Sequence, residues 1–339
     1  MSAVFEAGAA GSWPPPSIRG PARISAGLRR LGPALPAMVG SALLLSIAGS
    51  TQPTIGLAVM AGWIAIGLGV LTRPGERLAA RTWLHVRLAS PAQERSLAPL
   101  LGRAVAVAGI TVDDVDAYIH PARQGNAYAF GGHSVALTRG LIIEYHYGRL
   151  SEGDLVAVLV HELGHLVVGD VRFGLLGDWY SGPSRLAWRL MVCIPARVLG
   201  YGRHPRLVQV LLLVGSMIAV VRGVAEHAWL SVVVLLTLLL VAIIGPIANA
   251  ACSRRAERAA DRFAAERGMA HNLSHALIVV SDECSRHGLS AVLASHPTQQ
   301  DRLKDLLRGP VVRGEPPPSP GRSAPTADAG AQPQDRVLQ

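Results

Sequence analysis

Charge is scarce in this sequence: only 16% of its 339 residues are Asp, Glu, Lys or Arg, against about 25% in ordinary soluble domains. Half of the residues are hydrophobic, which excludes a disordered chain and argues against a typical cytosolic enzyme. Aromatics are also few, at 5%. The apolar content is therefore Ala, Val, Leu, Ile and Gly, a mix suited to helices packed in lipid. Cysteines number three, Cys193, Cys252 and Cys284, an odd count without CxxC spacing. That excludes a disulfide framework and fits a reducing compartment. Lysine is reduced to Lys304, so the net charge of +9 is carried by arginine. A basic surplus serves nucleic acid, anionic lipid or membrane orientation. No aromatic-studded basic stretch and no Cys/His finger occurs, so no nucleic-acid partner is expected.

Residues 1–30 are rich in Gly, Pro, Ser and Arg and show no clear helical period, which suggests a disordered basic tail. They lack the short apolar core and small-residue cleavage site of a removable signal peptide. From Leu31 to Thr72 no residue ionises. A span needs about 20 apolar residues, so this stretch holds two, near 33–49 and 54–71, with a turn at Gly49–Pro53. A second pair is expected within 206–252: a short uncharged run, Leu207–Val221, whose flanking Arg206 and Arg222 can snorkel, and the longer Ala228–Ser253. The shorter run is open to an interfacial or re-entrant reading.

Arginine placement orients these spans. Arg19, Arg23, Arg29 and Arg30 precede the first pair, and Arg73, Arg77, Arg81 and Arg87 follow it. Arg254, Arg255, Arg258 and Arg262 follow the second pair. The positive-inside rule then puts both termini and the segment 73–205 in the cytoplasm, on a multi-pass protein of the cell membrane. Within that segment, Asn126–Phe130 and His133–Thr138 read as short strands joined by Gly131-Gly132. Ser151 reads as the N-cap of an apolar helix running to about Val168. Residues 253–308 read as further helices, and 309–339 as a disordered tail. No internal repeat is present.

The chemistry lies in that apolar helix. His161-Glu162-Leu163-Gly164-His165 is an HExxH, and residues four apart on a helix share a face. Both imidazoles can reach one cation, while Glu162 sits beside it, placed to take a proton from an activated water. A catalytic zinc needs a third protein ligand and an open position. Glu257 can supply the carboxylate. Asp261, one turn further on, can hold a ligand histidine through its other ring nitrogen. Asp170, just past the HExxH helix, is a rival ligand, although its position suits an end-of-helix group or one that holds a histidine. His271 and His275 are also four apart, but no glutamate follows His271, and they read as surface or structural residues.

With these motifs in order, the chain resembles the HtpX-type membrane zinc metallopeptidases, of the same superfamily as the CAAX prenyl protease. The matching elements are the HExxH between two apolar pairs and the run Ser253-Arg254-Arg255-Ala256-Glu257-Arg258-Ala259-Ala260-Asp261. Asn126–Gly132 with Ala136–Leu141, and His296-Pro297 with Arg302-Leu303, match as well. The resemblance implies a mainly α membrane protein with about four transmembrane helices and a zincin-like α+β catalytic domain. It implies one zinc per chain, held by His161, His165 and Glu257, with Glu162 as general base. It further implies a substrate-binding edge strand formed by Asn126, Ala127, Tyr128, Ala129 and Phe130. His296 or Arg302 would stabilise the oxyanion, and Arg302 could instead hold Glu257 and Asp261. The implied partners are the lipid bilayer and polypeptide substrates, in particular misfolded membrane proteins.

Tyr128 departs from the family's usual Phe, and the Gly131-Gly132 connection is short. Two other readings exist: a sensor-transducer peptidase, which needs an external ligand-binding domain that the sequence does not supply, and an inactive membrane scaffold, which needs neither HExxH nor Glu257.

Overall fold

The computed structural model describes residues 21–198, 205–280 and 298–308. Its apolar N-terminal part is a helical hairpin, α2 (Leu35–Gly49) and α3 (Pro53–Gly69), turning at 50–52 where the sequence places the break. Leu35, Val39, Leu43, Ile47, Ile55, Leu57 and Ile66 on these helices are exposed. Their apolar faces are therefore not covered by the protein.

The helix preceding them, α1 (Pro21–Leu31), corrects the expectation of a tail reaching residue 30. Pro21 opens it, and Ile24, Leu28 and Leu31 recur at helical spacing. The Gly, Ser and Arg between them hide that period at the level of composition. Among the described residues one helical run, Ile24–Gly49, is long and apolar enough to cross a membrane. Pro53–Gly69 meets the same criterion only jointly with α4 (Arg73–Thr82), from which it is bent by 103°. Alone it has 17 residues, about 26 Å of helix. Among the described residues the expected count of four spans is thus not reproduced on length and composition; the expected span Ala228–Ser253 includes residues whose side chains lie outside that description. In the second apolar region, α9 (Pro205–Ala225) carries the shorter apolar run Val210–Ala225.

An element not foreseen lies between. The helix α8 (Gly174–Val198) packs along α2. Trp179 Nε1 donates to the Trp63 carbonyl at 2.8 Å, Tyr180 Oη to that of Ile64 at 2.8 Å, and the Ser184 amide to Ser41 Oγ at 3.0 Å. Asp178, Arg185 and Arg189 interrupt its apolar pattern, so no uncharged run marks it in the sequence.

The segment after the hairpin builds a four-stranded mixed sheet with helices on both faces. The strands are β1 (Arg87–Leu88), β2 (Asp116–His120), β3 (Ala127–Phe130) and β4 (Ser134–Thr138), in spatial order β1-β2-β4-β3. β4 is central and wholly buried, parallel to β2 and antiparallel to β3. β3 is therefore an edge. Three residues, Gly131–His133, join β3 to β4, one more than the Gly-Gly turn expected.

Strand alternation sends Ala127, Ala129, Val135 and Leu137 to one face, against α5 (Pro91–Ala108) and α7 (Glu152–Val168). Tyr128, Phe130 and Ala136 point to the other face, where they join Ala79, Ala80 and Val86. Ser151 caps α7 in a capping box with Asp154, an arrangement worth about 1 kcal/mol. Two further helices complete the packing on α7: α10 (Trp229–Ala265), a single helix of 37 residues, and α11 (Ala270–Val280). The last described helix, α12 (Gln299–Leu307), rests on α10 and α11.

Candidate metal centre

Helix α7 carries His161, Glu162 and His165 on a stretch buried from Leu159 to Val167. Helix α10 crosses it and presents Glu257 and Asp261 one turn apart, both buried. One nitrogen from each histidine and one Glu257 oxygen lie within 4.8 Å of one another. His161 Nε2 is 3.5 Å from Glu257 Oε2, and His165 Nε2 is 3.9 Å from Oε1. Zinc bonds of 2.0–2.2 Å at tetrahedral angles set ligand atoms roughly 3.4 Å apart. The triangle therefore fits one such ion.

The other ring nitrogens face carboxylates. His165 Nδ1 is 3.2 Å from both oxygens of Asp170. Gly169 makes this possible: it ends α7 at φ +80°, in the left-handed region glycine enters freely, and the turned chain brings Asp170 back under the histidine. Asp170 is thus placed to hold His165, whereas Glu257 belongs to the group that could bind a metal ion. His161 Nδ1 lies 3.0 Å from Asp261 Oδ1, with the carboxylate off the line of a straight hydrogen bond. Burial alone lowers an imidazole's pKa, yet the Asp261 and Glu257 carboxylates raise that of His161 to about 9. Asp170 raises His165 in the same way. This cluster of carboxylates around two buried imidazoles favours positive charge in its centre, as a cation site must.

Arg302, on α12, is half-buried against the cluster. It makes a two-pronged bond to Asp261, Nη2 to Oδ1 at 2.6 Å and Nε to Oδ2 at 2.9 Å, and its Nη1 is 3.4 Å from Glu257 Oε2. These bonds suit the holding role considered for Arg302, and its Nη2 also lies 3.4 Å from His161 Nε2. His296 lies outside the described residues.

The five residues Asn126–Phe130 divide in an informative way. Asn126 precedes β3, and its Oδ1 accepts from the Ala127 amide at 3.0 Å. The Ala129 amide points away from β4 and donates to Glu162 Oε2 at 2.7 Å. Ala127 and Ala129 keep the space between β3 and α7 free of bulk. The Tyr128 and Phe130 rings turn to the far face, and burial pushes the Tyr128 phenol up to about 12. The unpaired edge of β3 is therefore backbone flanked by alanine, and the Tyr-for-Phe difference sits behind the sheet. His275 is structural, as its sequence context suggests: its Nδ1 meets Asp154 Oδ2 at 2.8 Å.

Three contacts had no signal in the sequence. One is the bond from Ala129 to Glu162. Another is Arg30, which reaches Asp170 Oδ2 at 3.3 Å and Ser253 Oγ at 3.2 Å. The third is Glu76, buried beneath the β3–β4 turn. Backbone donors and charged residues of amphipathic helices carry no motif.

No curated protein sequence matches the chain. The crystal structure of Ste24p from S. mikatae is 15% identical, with a TM-score of 0.41, over 80% of this chain and 62% of that one. The chain thus spans less than two thirds of that protein's length. The model of peptidase family M48 matches residues 91–309, the segment that holds strands β2 to β4, the HExxH helix, Glu257 and Arg302. On that match the chain belongs to peptidase family M48, a family of metallopeptidases.

Proposed function

We propose that the protein is a membrane-embedded zinc endopeptidase that hydrolyses polypeptides at the cytoplasmic face, in the quality control of membrane proteins. The observation that carries this reading is the buried His161–His165–Glu257 triangle, with Glu162 beside it and held by the amide of edge strand β3. Bound zinc would polarise the scissile carbonyl and lower the pKa of water towards ~7. Glu162 takes the proton of the attacking water and hands it to the leaving amine nitrogen. A substrate segment adds beside β3 through main-chain hydrogen bonds. Asp170, Asp261 and Arg302 hold the ligands in place.

Membrane insertion is supported by the exposed apolar faces of α2 and α3, since only 6% of the apolar window in Ile24–Gly49 is buried. A core helix of a soluble protein would be covered. The cytoplasmic placement of the site follows from the arginine asymmetry, and the quality-control task from the resemblance to HtpX-type enzymes. The test is Glu162→Gln in the purified protein with an unfolded membrane protein as substrate. Cleavage is expected to fall by at least ~100-fold, in the range of positioned acid–base groups. Cleavage at the native rate would remove Glu162 from the mechanism.

A further inference from the structure

We propose that Glu76, on α4, is a positioning residue that sets the register of the peptide-binding strand β3; the proposal rests on the peptidase reading above. Glu76 is 3% exposed. Its carboxylate accepts hydrogen bonds from the Gly132 amide at 2.9 Å, the His133 amide at 3.2 Å and the Ser134 hydroxyl. These donors are the last two residues of the turn between β3 and β4 and the first residue of β4. Gly131, in the same turn, has φ +61°, and a methyl group there would overlap the Glu76 carboxylate. A buried carboxylate is costly unless its oxygens are satisfied, and here the turn satisfies them.

The same face of α4 carries Arg73 and Arg77, three and one residues away from Glu76. Both arginines bind Asp116, at the start of β2. Asp116 and Ser134 are direct partners in the β2–β4 ladder. One helix face therefore grips adjacent strands at the same end of the sheet, by cations on β2 and by an anion on β4 and its turn. β3 has four residues and pairs on one side only, so its own ladder is short. A slip of one residue would turn the Ala129 amide away from Glu162 and move every outward-facing donor. Glu76 fixes the turn from which that register is counted. Because α4 follows directly from the bend after α3, the apolar hairpin and the substrate edge are joined through this carboxylate.

The test uses the full-length protein with Glu76→Gln and Glu76→Asp, two cleavable substrates and amide hydrogen exchange. A decapeptide can pair along β3, whereas a tripeptide cannot. In Glu76→Gln, kcat/KM for the decapeptide is expected to fall roughly tenfold relative to that for the tripeptide, the effect of about one lost hydrogen bond, mostly through KM. The ratio does not depend on the fraction of folded enzyme. Exchange should accelerate in 127–134 but not in 152–168, and zinc content should not change. Glu76→Asp, too short to reach all three donors, should show the same pattern.

An unchanged ratio with unchanged exchange at β3 in both variants overturns the proposal. So does a uniform loss on both peptides with exchange raised throughout the catalytic region, which would make Glu76 a general stabilising residue. If the wild type cleaves neither peptide, the peptidase reading fails. The exchange measurement then still decides whether Glu76 holds the strand.

Discussion

His161 and His165 each turn one ring nitrogen towards Glu257 and the other towards a carboxylate, Asp261 and Asp170 respectively. Groups of that kind typically contribute 10- to 100-fold to metal affinity. Asp261→Asn is accordingly expected to speed zinc loss to a competing chelator by roughly 10- to 100-fold. Arg302→Ala removes the guanidinium that braces Asp261 and Glu257, so zinc retention and turnover should fall together. Turnover lost with wild-type zinc retention would mean that Arg302 acts on the reacting atoms instead. At this scale the sequence was legible wherever spacing is local. HExxH and the pair Glu257/Asp261 lie one turn apart on single helices, and their chemistry can be read from the intervals. Arg30 and Glu76 were not legible. Each acts on residues 56 to 223 positions away, and a charged residue on an amphipathic helix otherwise reads as solvated.

Helix α7 and strand β3 are the elements on which the site depends. The start of α7 was readable from Ser151, because a capping box is a local hydrogen-bond pattern. β3 and β4 were readable as a hairpin, but the parallel β2–β4 pairing was not, since no local signal specifies a partner strand. Nor was α8, whose charges break its apolar run. Ala129→Pro removes the one β3 edge N–H that donates to Glu162. It should slow cleavage by roughly 10- to 100-fold, the range for losing a hydrogen bond to a charged group, while zinc stays bound. Equal loss of zinc would make the hairpin structural only.

The cap of α7 has a pH signature. Burial pushes the Asp154 carboxyl up, but bonds from the Ser151 backbone and side chain, His275 and Asn272 outweigh it, and its pKa lies below the ordinary value of 3.8. Its stabilisation is thus complete above that value and is lost as pH falls through the lower, folded one. The difference in thermal midpoint between wild type and Asp154→Asn should shrink on acidification below pH ~4. A difference constant down to pH ~2 would contradict this.

For the whole molecule, the proposed orientation rests on the apolar stretches and arginine clusters, while the number of spans depends on how helices bend and pair. Length alone cannot settle that number: α3 bends into α4, and α8 packs on α2 without an uncharged run. Reporters fused after residue 30, after residue 150 and at the C-terminus should all report cytoplasm. An external signal from the fusion at 150 would refute the placement of the site. The claim that joins all scales is that a zinc ion sits between α7 and α10, with Glu162 next to it but not binding it. Metal analysis of the purified wild type, His161→Ala, Glu257→Gln and Glu162→Gln tests it most directly. The wild type and Glu162→Gln should each hold about one zinc per chain, and the two ligand variants close to none. Full zinc in His161→Ala, or its loss in Glu162→Gln, would contradict the account.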